Sequence, residues 1–259
     1  PQLLRTCPAL TSLTLPFLDA SFIEALPTTL TDLTIAHDNK PERPSIAGLA
    51  KLGKLTRLSM MNTFEAEPDE LWTALRQAPL RHLSLRIARG LSDYDAFHKL
   101  IAQPWTAKLE ILDLYTGYED LEMQQTLTLR AGHLKLVAQK MPALVQLSAH
   151  VQLWSYEADQ KAWAECKLPW KQLAVLVVLE ESARDWFFNG LYRNGTVAYK
   201  SLVLLFGLGV TLDSNVLPPT IMPTLDYLCI RGAANLDWSD AKSLEQRLGF
   251  CTGLRTLHV

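Results

Sequence analysis

A six-residue pattern, L-x-x-L-x-aliphatic, recurs along the whole chain. Ten segments carry it, and the sixth and eighth are imperfect at their last position, where Ala149 and Gly207 stand. The segments begin at Leu10, Leu30, Leu55, Leu80, Leu109, Leu144, Leu173, Leu202, Leu225 and Leu254. The successive intervals are 20, 25, 25, 29, 35, 29, 29, 23 and 29 residues. Such near-regular spacing predicts a repeat architecture.

Most copies have polar residues between the apolar positions, which is typical of a strand with one buried face. Pro8, Pro142 and Pro223 precede three of the opening leucines and favour an extended chain there. The segments between copies contain short helical patterns. We predict helices in "DELWTALRQA" from Asp69, "DYDAFHKLIAQ" from Asp93, "ADQKAWAEC" from Ala158 and "SDAKSLEQRL" from Ser239.

The L-x-x-L-x-L motif in series resembles the leucine-rich-repeat family over the full 259 residues. The resemblance implies an α/β solenoid of about ten repeats, with a parallel β-sheet on the concave face and short helices on the convex face. The family's commonest form has Asn or Cys nine residues into each repeat, whereas this chain has unrelated residues there, such as Leu18, Asp38 and Thr63. The long, uneven repeats are more similar to the ribonuclease-inhibitor-like arrays of F-box proteins.

We expect residues 1–259 to form a single solenoid domain. The first residues, "PQLLRTCP", read as the tail of a preceding helix, and Val259 ends a predicted strand. Because an open end of a solenoid exposes core and unpaired backbone, we expect the natural protein to extend beyond at least one end.

Composition narrows the class of function. Hydrophobic residues make up 48% of the chain and charged residues 20%, enough for a packed core. The net charge of -2 and a pI near 6.4 give no general attraction to nucleic acid. The longest dense apolar run, "LAVLVVL" from Leu173, is too short for a membrane span. The four cysteines form no C-x-x-C pair, so we expect a reducing cytoplasmic or nuclear location.

The resemblance implies a non-catalytic scaffold that binds a protein on its concave face, as in the substrate-recognition array of an F-box ubiquitin-ligase subunit. No cofactor is expected, and the oligomeric state stays open. One alternative is a receptor- or effector-type leucine-rich-repeat module. A second alternative is an enzyme that uses Ser, Asp and His side chains on the concave face.

Ser, Asp and His occur at outward positions of three consecutive strands. These residues are His82, Ser84, Asp113, Ser148 and His150. Neighbouring parallel strands lie about 4.8 Å apart, so Asp113 can reach a side chain on either neighbour. These residue types serve nucleophilic catalysis, but no enclosing loop is evident, which favours a polar binding surface.

Arginines mark a second candidate surface. Arg81, Arg86 and Arg89 are close in sequence, and Arg86 is expected on the concave face with Arg57 one strand away. This arrangement suits an acidic partner segment or a phosphate group.

The seventh and eighth copies carry apolar residues on both faces, which predicts a covered sheet. If Leu173 and Leu202 open these two copies, six apolar positions form a contact patch on the concave face, flanked by Tyr227. They are Val175, Val177, Leu179, Leu204, Phe206 and Leu208. Tyr115, His150 and Arg86 complete the predicted contact set. Two alternatives stay open: the spacer from Tyr115 to Lys135 covers the patch, or the eighth copy begins at Val203, which turns Phe206 and Leu208 inward.

The same register predicts one buried row of leucines. Its members are Leu13, Leu33, Leu58, Leu83, Leu112, Leu147, Leu176, Leu205, Leu228 and Leu257.

Overall fold

The computed structural model has an α/β architecture with parallel strands and short helices. It describes residues 4, 6–17, 19–36, 46–61, 68–86, 94–114, 128–153, 157–165, 169–170, 172–179, 200–206, 224–232 and 253–258. Contacts divide the chain into two compact units. The N-terminal unit comprises residues 1–127 and 140–144, and the C-terminal unit comprises 128–139 and 145–259.

Five parallel strands form the sheet of the N-terminal unit, in chain order. They are β1 (Ser12–Leu15), β2 (Asp32–Ile35), β3 (Arg57–Met61), β4 (His82–Arg86) and β5 (Ile111–Asp113). Parallel neighbours need a crossover segment, and here each crossover contains a helix or a 3-10 turn. These are α1 (Ala20–Ala25), a turn at Ala47–Lys51, α2 (Pro68–Ala74), α3 (Tyr94–Ile101) and a turn at Pro104–Lys108.

The crossover segments stack on one another in sequence order. Helix α1 begins at a cap, because the Asp19 side chain accepts a hydrogen bond from the Phe22 N–H at 2.9 Å. It contacts the turn at Ala47–Lys51, which contacts α2, and α2 contacts α3. The helices predicted from Asp69 and Asp93 are therefore confirmed as α2 and α3, whereas α1 was not predicted.

The core of the N-terminal unit is built from the apolar positions of the repeated pattern. In the second to fifth copies every such side chain is at most 4% exposed. These side chains are Leu30, Leu33, Ile35, Leu55, Leu58, Met60, Leu80, Leu83, Leu85, Leu109, Leu112 and Leu114. Leu10 and Leu13 of the first copy are only half-buried, because β1 has a described neighbour on one side alone. The predicted burial is confirmed for Leu33, Leu58, Leu83 and Leu112 in this unit and for Leu147 in the C-terminal unit.

Consecutive strands are joined at their start by one shared carbonyl. The Thr11 carbonyl accepts hydrogen bonds from the N–H groups of Thr31 and Asp32, at 2.8 and 3.0 Å. The carbonyls of Thr31, Thr56 and Arg81 each accept two N–H groups of the next copy in the same way. The hydroxyl of Thr31 adds a bond to the Thr11 carbonyl at 3.0 Å. This arrangement sets the first paired residue of every strand in the sheet.

Six parallel strands form the sheet of the C-terminal unit. They are β6 (Thr128–Leu129), β7 (Gln146–Leu153), β8 (Gln172–Leu179), β9 (Ser201–Phe206), β10 (Tyr227–Gly232) and β11 (Thr256–His258). The helices described in this unit are α4 (Ala131–Lys140) and α5 (Glu157–Glu165), which confirms the helix predicted from Ala158. Helix α4 was not predicted, and the helix predicted from Ser239 lies outside the described residues.

The long spacer after β5 ends in regular structure. Thr128 pairs with His150, and Leu129 pairs with the buried Val151, before the chain enters α4. Residues 128–135 thus belong to the sheet and a helix of the C-terminal unit. The spacer from Tyr115 to Lys135 was expected to cover the apolar patch. Only its remaining part, residues 115–127, could do so, and these residues lie outside the described residues.

The register of the seventh and eighth copies differs from the leucine prediction. Leu147 pairs with Leu173, Leu173 with Leu202, and Leu202 with Leu228. Leu173 and Leu202, at 3% and 0% exposure, therefore stand in the row that was assigned to Leu176 and Leu205, and that assignment is wrong. In the seventh copy Trp170, which is fully buried, fills the opening position. Leu173, which was taken as the opening leucine, therefore lies three residues after the true opening.

The shared-carbonyl arrangement supports the same register for the eighth copy. The Lys200 carbonyl accepts the N–H groups of Asp226 and Tyr227, and the Asp226 carbonyl accepts those of Arg255 and Thr256. Lys200 is therefore equivalent to Asp226, the second residue of the ninth copy, and the eighth copy opens one residue before Lys200. The predicted opening at Leu202, like the alternative at Val203, is wrong.

The buried row yields a stability prediction. We expect Leu112→Ala to destabilise the protein by about 2–5 kcal/mol, because Leu112 is fully buried and the removed atoms leave a cavity. Leu13→Ala makes the same chemical change at the half-buried end of the row and should cost clearly less. Urea denaturation of both variants checks this, and equal losses would contradict the difference in burial between Leu112 and Leu13.

Candidate functional site

The sheet of the N-terminal unit presents a polar face opposite its leucine core. Because side chains alternate along a strand, the residues between the buried leucines share this face. One register row across the five strands contains Ser12, Asp32, Arg57, His82 and Ile111, and the other contains Thr14, Thr34, Ser59, Ser84 and Asp113. Nine of these ten residues are exposed or half-buried, and only Ser84 is buried. We call these ten residues the polar face.

An ion pair connects β2 and β3 on this face. The Nε atom of Arg57 lies 3.4 Å from Oδ1 of Asp32, and the Thr31 hydroxyl donates to Oδ2 of Asp32 at 2.7 Å. The Arg57 side chain is 57% exposed and that of Asp32 is 33% exposed. An exposed pair of this kind contributes little to stability, but it orients the guanidinium group on the sheet.

A second polar contact connects β4 and β5. The Ser84 hydroxyl donates to Oδ2 of Asp113 at 3.1 Å, so the predicted approach of Asp113 to a neighbouring strand is confirmed on the Ser84 side. A catalytic serine donates instead to a histidine, which the carboxylate orients from the other side. Ser148 and His150 belong to the C-terminal unit, where Ser148 is buried and the side chain of His150 is not among those described.

His82 stands between the two polar contacts. It is half-buried, and its Nδ1 atom is buried with no hydrogen-bond partner among the described residues. Burial lowers the pKa of His82 below its usual value of 6.5, and the positive charge of Arg57 lowers it further. The carboxylates of Asp113 and Asp32 act in the opposite direction but do not outweigh burial. Burial thus favours the neutral form of His82.

The structure separates the arginines that were expected together. Arg57 pairs in register with His82, whereas Arg86 pairs with Met61 at the other end of the same two strands. Four residues along a strand place their backbones about 13 Å apart. Arg81 lies outside the polar face and forms an ion pair with Glu110. The neighbour of Arg57 is thus His82, which sequence reasoning missed although both residues hold the third position of consecutive copies.

The corrected register removes the reason for placing the apolar contact patch on the open face. Val175 and Val177 pair with Ala149 and Val151, which are 0% and 1% exposed. Leu204 and Phe206 pair in turn with Val175 and Val177, and Leu179 pairs with Leu153.

The structure describes only some of the other predicted contact residues. Tyr227 is half-buried at the start of β10, whereas Leu208 and Tyr115 lie outside the described residues. Of Arg86 and His150 the structure describes the strand positions alone. That these residues contact a partner stays a prediction.

The described residues contain no group of three His, Cys, Asp or Glu side chains that could hold a metal ion. Their free thiols are those of Cys7, which is exposed, and Cys229, which is buried. No helix in this part of the chain is long and apolar enough to cross a membrane.

No family model matches the sequence, and no curated protein matches it.

The environment of His82 predicts a dependence of stability on pH. A pKa lowered by folding means that the neutral form is favoured in the folded state, so the contribution of His82 is complete above about pH 6.5 and is lost as the pH falls through the lowered pKa. We expect His82→Gln to remove this part of the acid sensitivity. Urea denaturation of both proteins between pH 7.5 and 5 checks this, and parallel stability curves would contradict it.

Proposed function

We propose that this chain is a leucine-rich-repeat solenoid of about ten repeats, with a parallel sheet on its concave face and short helices on its convex face. We further propose that it is a non-catalytic scaffold that binds a protein partner on the concave face. The observation that carries this proposal is the polar face: an ordered set of small and charged side chains outside a continuous leucine core.

The composition of the polar face supports protein binding. Ser12, Thr14, Thr34 and Ser59 are short side chains with hydroxyl groups, so a partner can approach the sheet closely and form hydrogen bonds. Arg57 supplies an exposed guanidinium group, and arginine is enriched among the residues that dominate binding energy in protein interfaces. A partner that spans neighbouring strands meets both kinds of contact.

A finer proposal concerns the biological role. We propose that the scaffold recognises substrates for an F-box ubiquitin ligase in the cytoplasm or nucleus. This proposal rests on the resemblance of the long, uneven repeats to ribonuclease-inhibitor-like arrays.

Site-specific photocrosslinking tests the binding proposal. A benzophenone amino acid replaces Ser59 on the polar face in one protein and Lys108, exposed in the 3-10 turn at Pro104–Lys108, in a second protein. We expect irradiation in cells to join a discrete partner to the Ser59 position and not to the Lys108 position, as judged by mass spectrometry. Adducts from Lys108 alone, or from neither position in two correctly folded proteins, would contradict binding on this face.

The ligase proposal is tested on the partner found in this way. We expect loss of the gene to lengthen the half-life of that partner several-fold, measured after protein synthesis is stopped. Wild-type protein should restore rapid turnover, whereas Arg57→Glu should not, because it reverses a charge on the polar face. An unchanged half-life would refute the ligase role and leave the scaffold proposal standing.

A further inference from the structure

Arg57 and His82 are adjacent polar side chains whose hydrogen-bonding capacity the described residues do not fill. They pair in register on the parallel strands β3 and β4, so their backbones lie about 4.8 Å apart and both belong to the polar face. Among the described residues, the ion pair of Arg57 is with Asp32 and involves Nε. A guanidinium group has five N–H donors, and the fork at its end matches a carboxylate.

His82 adds a second group that can bond a ligand. Its Nδ1 atom is buried without a partner among the described residues, so a ligand approaches the imidazole from the side of Nε2. In a neutral imidazole one nitrogen is a donor and the other an acceptor, and a protonated imidazole donates from both. The exposed guanidinium and the adjacent imidazole together offer donors to one acidic group.

We propose that Arg57 and His82 together bind the carboxylate of an Asp or Glu side chain in an acidic segment of the protein partner. This inference rests on the proposed function and names the chemistry that the partner presents at the polar face. Arg57 holds the carboxylate through its terminal nitrogens, Asp32 orients Arg57 through Nε, and His82 donates from Nε2.

The charges around the site favour a carboxylate over a phosphate group. Asp32 on β2 and Asp113 on β5 act on His82 with two negative charges, against the single positive charge of Arg57. A phosphate group carries about 1.5–2 negative charges at pH 7, so these two carboxylates repel it more strongly than a singly charged carboxylate. Ser84 moderates this field by donating to Asp113.

Proton uptake accompanies binding in this arrangement. The groups that face His82 are Arg57 from β3, Asp32 from β2 and Asp113 from β5, and burial keeps its pKa low. A bound carboxylate adds a negative charge beside the imidazole and raises that pKa, which favours the protonated form. The affinity therefore rises as the pH falls, by at most about tenfold per pH unit for one proton.

The experiment uses the full chain and a labelled peptide of glutamate residues separated by glycine, with the matched glutamine peptide as a control. Fluorescence anisotropy gives affinities at several pH values, and NMR follows the imidazole protons of His82. We expect Arg57→Gln to weaken binding about tenfold or more through loss of charged hydrogen bonds. Lys108→Gln removes an exposed cation elsewhere in the same unit and should leave the affinity unchanged.

The pH series separates the role of His82 from general attraction. We expect the glutamate peptide to bind more tightly as the pH falls from 7.5 to 6, to shift the His82 resonances, and to lose this pH dependence in His82→Gln. Equal weakening by Lys108→Gln, binding of the glutamine peptide, or no binding by correctly folded protein would overturn the proposal. Preference for a phosphoserine peptide would overturn it in favour of phosphate, while crosslinking from Ser59 would still report on the scaffold function.

Discussion

The sheet of the N-terminal unit depends on a single kind of backbone interaction, the carbonyl that accepts two N–H groups of the next strand. Because the carbonyls of Thr11, Thr31, Thr56 and Arg81 hold successive strands in this way, every strand begins at the same level. A common starting level fixes which residues face the core, since side chains alternate along each strand. The buried leucines and the polar face both follow from this one constraint.

The sequence predicts this arrangement well wherever leucine opens the repeat. In the first five copies the opening leucine is unambiguous, and the predicted strand register and the core positions of copies two to five match the structure. The seventh copy fails because Trp170 opens it, while Leu173 and Leu176 also satisfy the motif. A shift of three residues reverses the alternation, so it assigns every side chain of a strand to the wrong face.

The sequence predicts which residues lie on the candidate site better than it predicts which of them contact one another. Ser84 and Asp113 hold the same position in consecutive copies, and alignment of the copies is enough to bring them together. The same alignment places Arg57 beside His82. The sequence prediction instead grouped Arg57 with Arg86, because arginines are clustered around Arg86 in the sequence. The burial of His82 could not be predicted, because it depends on how neighbouring side chains fill space around the imidazole and not on its own position.

The paired N–H groups that bond each shared carbonyl belong to the main chain, and this has a consequence for how such a protein can change. The register is set by the buried leucines and the backbone hydrogen bonds, whereas the side chains of the polar face, apart from the buried Ser84, lie outside the core. Substitution at Asp32, Arg57 or Ser59 is therefore expected to change the chemistry of the polar face and to leave the register intact. The architecture therefore separates the residues that set the shape of the sheet from those that set the chemistry of its exposed face, so the second group can change without the first.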